Sequence, residues 1–171
     1  MPASAQRAIR NKLPVAAGVS PQTAKLRMLK TLTCSDAPEQ ALRLQGARLI
    51  AGVDEVGRGA LFGPVVAAAV ILPEDTRPLA EAGLKDSKQL QREDRERLAA
   101  MVRGMALAVS VAEVDAETID RINIYQATRM AMLLAVRDLA VEPDHLLIDA
   151  MRIDHPCAQT RLIYEIGRAH V

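Results

Sequence analysis

The chain has 171 residues, half of them hydrophobic and a quarter charged, with a net charge of +1. That size and balance fit one soluble globular domain with a real core. They exclude a globally basic surface, so any binding of nucleic acid must use local patches.

With no Trp, two Tyr and one Phe, the core must be built from Val, Ile, Leu, Ala and Met. The same scarcity argues against a single-strand binder that works by base stacking. Cys34 and Cys157 lie far apart and follow no zinc or disulfide spacing, which makes a reducing cytoplasm the expected location. No stretch reaches the roughly 18 apolar residues of a membrane span. The first residues carry Arg7, Arg10 and Lys12 without an apolar segment, unlike a secretory signal.

In chain order, residues 1–20 show no period and are expected to be disordered or loosely attached. Short helices are expected at 22–32 and 38–46. Residues 48–53 read as a buried strand, followed by a Gly-rich turn at 57–63. The apolar run Val65–Leu72 suits a central strand and stops at Pro73. Residues 74–90 read as a polar loop.

A helix is expected at 91–104, where Leu98, Met101, Val102 and Met105 recur at helical spacing. Residues 106–114 alternate as a strand with Leu107, Val109 and Val111 on one face. The strongest helix spans 123–139, striped by Ile124, Ala127, Ala131 and Ala135, with Asp120 or Asn123 as its cap. His145–Asp149 is a short strand ending in a carboxylate. Met101, Met105, Met130 and Met132 read as core filler, Cys157 as a small packing residue, and His145 and His155 as surface or strand-end residues. The order implies an α/β domain with one mixed sheet. Strand 48–53 and strand 65–72, joined by a tight turn, should be antiparallel. Strand 145–149, reached through a helix, should lie parallel to the first. Asp54 and Asp149 would then share the carboxyl edge, where open α/β sheets bind ligands.

Asp54 and Glu55 follow the first strand directly and precede Gly57-Arg58-Gly59. Adjacent carboxylates at the end of a buried strand are costly unless paired, protonated or bound to metal. With Asp149 they form a donor set of the kind that Mg²⁺ or Mn²⁺ prefers, suited to hydrolysis of a phosphodiester. On spacing alone, Asp54 and Asp149 could equally be solvent-facing strand ends. Gly57-Arg58-Gly59 lets backbone approach a ligand and offers a guanidinium to a phosphate, or is a plain tight turn. Its glycine spacing also nearly matches a dinucleotide fingerprint, but Pro64 and a β-branched run follow where that motif needs a helix. Lys85-Asp86-Ser87-Lys88 is either a phosphate clamp or a solvated loop.

Ile50 through Gly59 and Gly63 through Leu72 together resemble the opening of bacterial ribonuclease HII, a type 2 ribonuclease H. Gly83 through Leu90 resembles that family's lysine-bearing loop. Ile119 through Ile124, with Ala127 and Met130-Ala131-Met132, resembles its central helix, and Leu147-Ile148-Asp149-Ala150 the strand bearing its third carboxylate. The resemblance covers roughly residues 48–164. It implies a ribonuclease H-like fold, a mixed sheet flanked by helices, and a catalytic domain at 48–165 after an N-terminal extension at 1–47.

The resemblance also implies cleavage of RNA in RNA–DNA hybrids and incision 5′ of ribonucleotides embedded in duplex DNA, giving 3′-hydroxyl and 5′-phosphate ends. Asp54, Glu55 and Asp149 match the family's first three metal ligands, for Mg²⁺ or Mn²⁺ in a two-metal reaction. Gly57, Arg58 and Gly59 match the loop that reads the ribose 2′-hydroxyl. Lys85, Ser87, Lys88 and Asn123 match positions that contact backbone phosphate. A cytoplasmic monomer acting in ribonucleotide excision repair is expected. The family's fourth carboxylate and its C-terminal helical part have no counterpart here, and residues 166–171 resemble no part of the family and are expected to be a non-native tail. A hybrid-binding fragment without catalysis is the alternative this leaves.

Overall fold

The computed structural model describes residues 35–149 and 151–162. The expectations for residues 1–20, 22–32 and 166–171 lie outside them. Helix α1 (Ala37–Leu44) is followed by strands β1 (Ile50–Val56) and β2 (Val65–Ile71), then helix α2 (Arg77–Glu81) and a 3₁₀ turn at Ser87–Gln89. Helix α3 (Arg92–Met105), strand β3 (Ala108–Val114), helices α4 (Ala116–Ile122) and α5 (Ile124–Arg137), and strands β4 (His145–Asp149) and β5 (Ala158–Leu162) complete the order. Among the described residues, no helix is long and apolar enough to cross a membrane.

The five strands make one mixed sheet in the order β3-β2-β1-β4-β5. As the tight turn required, β1 and β2 are antiparallel, and β4 lies parallel to β1. One face carries Ala51, Val53, Val65, Ala67, Ala69, Ile71, Leu146 and Ile148 onto the buried stripe Ala127, Ala131, Met132 and Ala135 of α5. Small side chains dominate both sides, which lets helix and sheet approach closely. At the other face Leu42 of α1 packs on Ile50 and Leu147, so residues just before β1 are part of the packed structure.

Several expectations are corrected. Strand β1 runs through Asp54 and Glu55 rather than stopping before them. The 74–90 segment is not all loop: Leu79 of α2 is fully buried, and the Asp86 carboxylate accepts from Lys88 N to start the 3₁₀ turn. On β3 the expected alternation holds, with Leu107, Val109 and Val111 on the more open face and Ala108, Ser110 and Val114 buried on the other. Of the four methionines, Met132 is fully buried, Met101 and Met105 are half-buried, and Met130 is exposed. Cys157 does pack beside the core, its Sγ 3.4 Å from the Pro143 carbonyl. His145 opens β4 and meets Thr160 Oγ1 at 2.8 Å.

Helix 123–139 starts as expected, but Asn123 also ends α4. Its φ of 69° turns the chain between the two helices, and its Oδ1 accepts from Gln126 N at 3.1 Å. Asparagine tolerates this left-handed geometry better than most residues, because its short amide can bond locally.

Asp144 fixes how β4 meets β1. Its Oδ2 accepts from Arg48 N at 2.8 Å and Leu49 N at 3.0 Å. Partial burial pushes this carboxyl up, but the two backbone N–H groups and His145 outweigh it and leave its pKa lowered. A lowered carboxyl stabilises the fold above its unfolded pKa and loses that contribution as pH falls through the folded one. Asp144→Ala is therefore expected to cost about 1 kcal/mol, the lower range because solvent reaches the group. Urea unfolding at pH 7 reads the difference, which should fade below the ordinary value of 3.8.

Candidate active site

The β1–β4 register pairs Gly52 with Leu147 and Val53 with Ile148. One step further it sets Asp54 beside Asp149. Alternation along a strand puts these two on the same face, exposed at the carboxyl edge. Glu55 points to the opposite face, where β1 meets the α5 side of the sheet, and its side chain keeps only 15% of its exposure.

The three carboxylates feel one another. The Glu55 carboxyl is pushed up first by burial, then by the charge of Asp54, with a smaller push from Asp149. Its bond to Arg58 pulls the other way, Nη1 to Oε1 at 3.4 Å. Burial and Asp54 also push Asp149 up, against the cations Lys88 and Arg58. Asp54 Oδ1 accepts from Glu55 N at 2.8 Å, which orients that carboxylate. These couplings gather Asp54, Glu55, Asp149, Arg58 and Lys88 into one neighbourhood.

Among the described residues, no three His, Cys, Asp or Glu side chains converge closely enough to hold a metal ion as they stand. The strand alternation that turns Glu55 away from Asp54 accounts for this. The donor set nevertheless fits a hard divalent cation: every donor is a carboxylate oxygen, and two of the three carboxyls are raised by burial and neighbouring negative charge. Asp54 and Asp149 would hold such an ion from one face, and Glu55 would join from the strand end.

The loop from Gly57 to Pro64 bridges the Val56–Val66 pair at the end of the β1–β2 hairpin. Gly57 has φ 101°, and a Cβ there would lie 2.7 Å from the Pro64 carbonyl oxygen. Only glycine lets the two ends of the loop close. A strand rather than a helix follows Gly63, which removes the dinucleotide-binding reading.

The remaining residues are less tightly gathered. Lys88 acts on Asp149 from the 3₁₀ turn. Lys85 and Ser87 are exposed in the same segment. Asn123 caps α5, whose N-terminal end lies toward the same edge: Arg129, in its second turn, donates to the Arg152 carbonyl just past β4. Sequence reasoning did not single out Arg129 or Gln159. The Gln159 amide ties the Ile153 N–H and the carbonyls of Ile153 and His155, shaping the segment after Asp149. Nothing in local composition marks such a contact.

The family model described as Ribonuclease HII matches residues 51–167. A ribonuclease HII from Koribacter versatilis is 54% identical over 146 residues, covering 85% of this chain and 56% of the relative. One from Enterococcus faecalis is 54% identical over 125 residues, covering 73% and 48%. The chain thus spans about half the length of the curated relatives it matches. The crystal structure of ribonuclease H2 from Pyrococcus horikoshii is similar with a TM-score of 0.58 at 25% identity, covering 66% of this chain and 61% of that one. The ribonuclease HII in a PCNA complex from Archaeoglobus fulgidus gives 0.51 at 28% identity, covering 62% and 52%. The mixed sheet flanked by helices is the ribonuclease H-like fold of these neighbours.

Proposed function

The chain belongs to the ribonuclease HII family, and on that premise we propose that the whole protein cleaves the RNA strand of RNA–DNA hybrids and incises duplex DNA 5′ of single embedded ribonucleotides. The observation that carries the reading is the register that sets Asp54 beside Asp149, with Glu55 and the Gly57-Arg58-Gly59 loop continuing from the same strand end. Mg²⁺ or Mn²⁺ bound there would activate water and neutralise charge on the departing 3′ oxygen, leaving a 5′-phosphate on the ribonucleotide side.

The chain's own residues supply the rest. Asp54, Glu55 and Asp149 hold the cations. Arg58 and Lys88 meet the phosphate beside the one to be cut, with Lys85, Ser87 and Asn123 as further contacts along the strand. Backbone at Gly57 and Gly59 approaches the 2′-hydroxyl, the group that tells RNA from DNA at one position. The protein acts as a cytoplasmic monomer in removal of misincorporated ribonucleotides.

The test is a duplex with one ribonucleotide, labelled on the strand that carries it. One nick 5′ of the ribonucleotide, dependent on Mg²⁺ or Mn²⁺ and lost in EDTA, is expected from the full-length protein; a product on all-DNA duplex of equal yield would end the reading. The pH dependence follows from the raised carboxyls. Glu55 and Asp149 must lose protons to bind a cation, so apparent metal affinity should increase as pH rises through their elevated range. Isothermal titration with Mn²⁺ at pH 5 and pH 7 reads it, with proton release expected at the lower pH.

A further inference from the structure

Leu61 and Phe62 stand 90% and 91% exposed at the tip of the loop that leaves Arg58. Phe62 is the only phenylalanine of the chain. An adjacent exposed pair of this size adds nothing to the described core and leaves apolar surface free to meet a partner. The loop that carries it is not slack. Gly57 and Gly63, at φ 101° and 99°, turn its two ends, the Gly57–Pro64 approach closes its base, and Ala60 N donates to Gly57 O at 3.0 Å within it. The tip is therefore presented in a set direction from the carboxyl edge of the sheet.

We propose that Leu61 and Phe62 form an apolar wedge that packs against sugar and base faces in the minor groove of the bound duplex, next to the ribonucleotide. The inference rests on the functional reading above. A 2′-hydroxyl is displayed in the minor groove, so a loop whose Gly57 and Gly59 approach it must lie in that groove. Its tip, two and three residues beyond Gly59, then faces the flanking nucleotides. Apolar side chains inserted there contact sugars and base steps without reading sequence, which suits an enzyme that must act wherever a ribonucleotide occurs. Arg58 in the same loop and Lys88 beside the site supply the phosphate contacts that flank such a wedge.

The chain has no Trp, so Phe62→Trp creates a single reporter at the tip. The 171-residue chain is mixed, with Ca²⁺ present, with a labelled duplex carrying one ribonucleotide, and separately with anionic lipid vesicles. Expected are quenching of the Trp by the duplex but not by vesicles, and an affinity about 10-fold weaker by anisotropy for Phe62→Ala. Leu61→Ala should weaken binding less. The apolar origin predicts that Phe62→Ala leaves the salt slope unchanged, whereas Lys88→Ala reduces it by about 0.9. A duplex complex in which Trp stays unquenched and Phe62→Ala binds at full strength overturns the wedge and leaves the functional reading standing. A response to vesicles alone also overturns it. If the unmodified chain does not bind the duplex, the wedge is overturned for this chain, while the functional reading of the whole protein is decided by the nicking assay above.

Discussion

Replacing Asp54 by Asn is expected to lower nicking of a single-ribonucleotide duplex by well over about 100-fold, because loss of a partner one shell further from a metal already costs 10- to 100-fold. The substitution keeps the shape of the side chain, and Asn can still accept from Glu55 N in place of the 2.8 Å bond. What it removes is one negative charge from the pair that β1 and β4 hold side by side. Two consequences should separate. Cation affinity falls, since Asp149 alone remains on that face. Stability in the absence of cation holds or improves, because the Asp54 charge pushes up both Glu55 and Asp149. Thermal melts with and without Mn²⁺ distinguish the two: the variant should match or exceed the parent without metal and lose most of the metal-induced rise. Nicking by a pure Asp54→Asn preparation at the parent rate would remove Asp54 from the site.

Gly57→Ala should have the second-largest effect. A Cβ at this residue would lie 2.7 Å from the Pro64 carbonyl oxygen, and its φ of 101° is one that side chains resist. A strained backbone of this kind costs of order 1–3 kcal/mol, and the carbonyl cannot yield without opening the loop. Displacing catalytic geometry by about 1 Å can cost on the order of 100-fold in rate. The expected result is a lower melting temperature together with about 100-fold weaker nicking. Gly59→Ala is the informative partner. A Cβ there meets nothing within 4 Å, so the free protein should melt as the parent does. If Gly59→Ala nevertheless loses ribonucleotide preference, the close approach is to substrate and not to protein. Equal melting temperatures for Gly57→Ala and the parent would show that the closed loop base is not needed.

Much of the architecture was legible because continuous apolar runs and helical stripes are strong signals. Strands β1, β2 and β4 and helices α3 and α5 arise from such runs, and the short hairpin between β1 and β2 dictated their direction. The side-by-side carboxylates followed from one further step, that a strand reached through a helix lies parallel. Strand β5 was not foreseen. Ala158-Gln159-Thr160-Arg161-Leu162 has one paired side and little buried surface, so neither alternation nor hydrophobicity marks it. On β3 the alternation was legible but not which face is buried; α5 takes the face of Ala108 and Ser110, because its own stripe is alanine and must come close. That choice depends on a partner helix far away in sequence. Asn123 was one of two foreseen caps, the other, Asp120, lying inside α4; its role in ending that preceding helix was not foreseen, since one residue serving two helices has no compositional mark. The same limit holds at the site. Adjacent Asp54 and Glu55 are visible as letters, whereas their placement on opposite faces depends on β1 continuing past them.

The parallel pairing of β1 with β4 also bears on when the site comes into being. The β1–β2–β3 meander needs only residues up to Val114, and its strands pair with near neighbours. Asp149 joins only after the intervening helices have been made and a long loop has been closed, a step with an entropic cost that grows with the length enclosed. During synthesis from the N-terminus, Asp54 and Glu55 therefore emerge well before their partner. The carboxylate pair therefore assembles only when β4 docks on β1. Amide exchange in β4 should then report the integrity of the site.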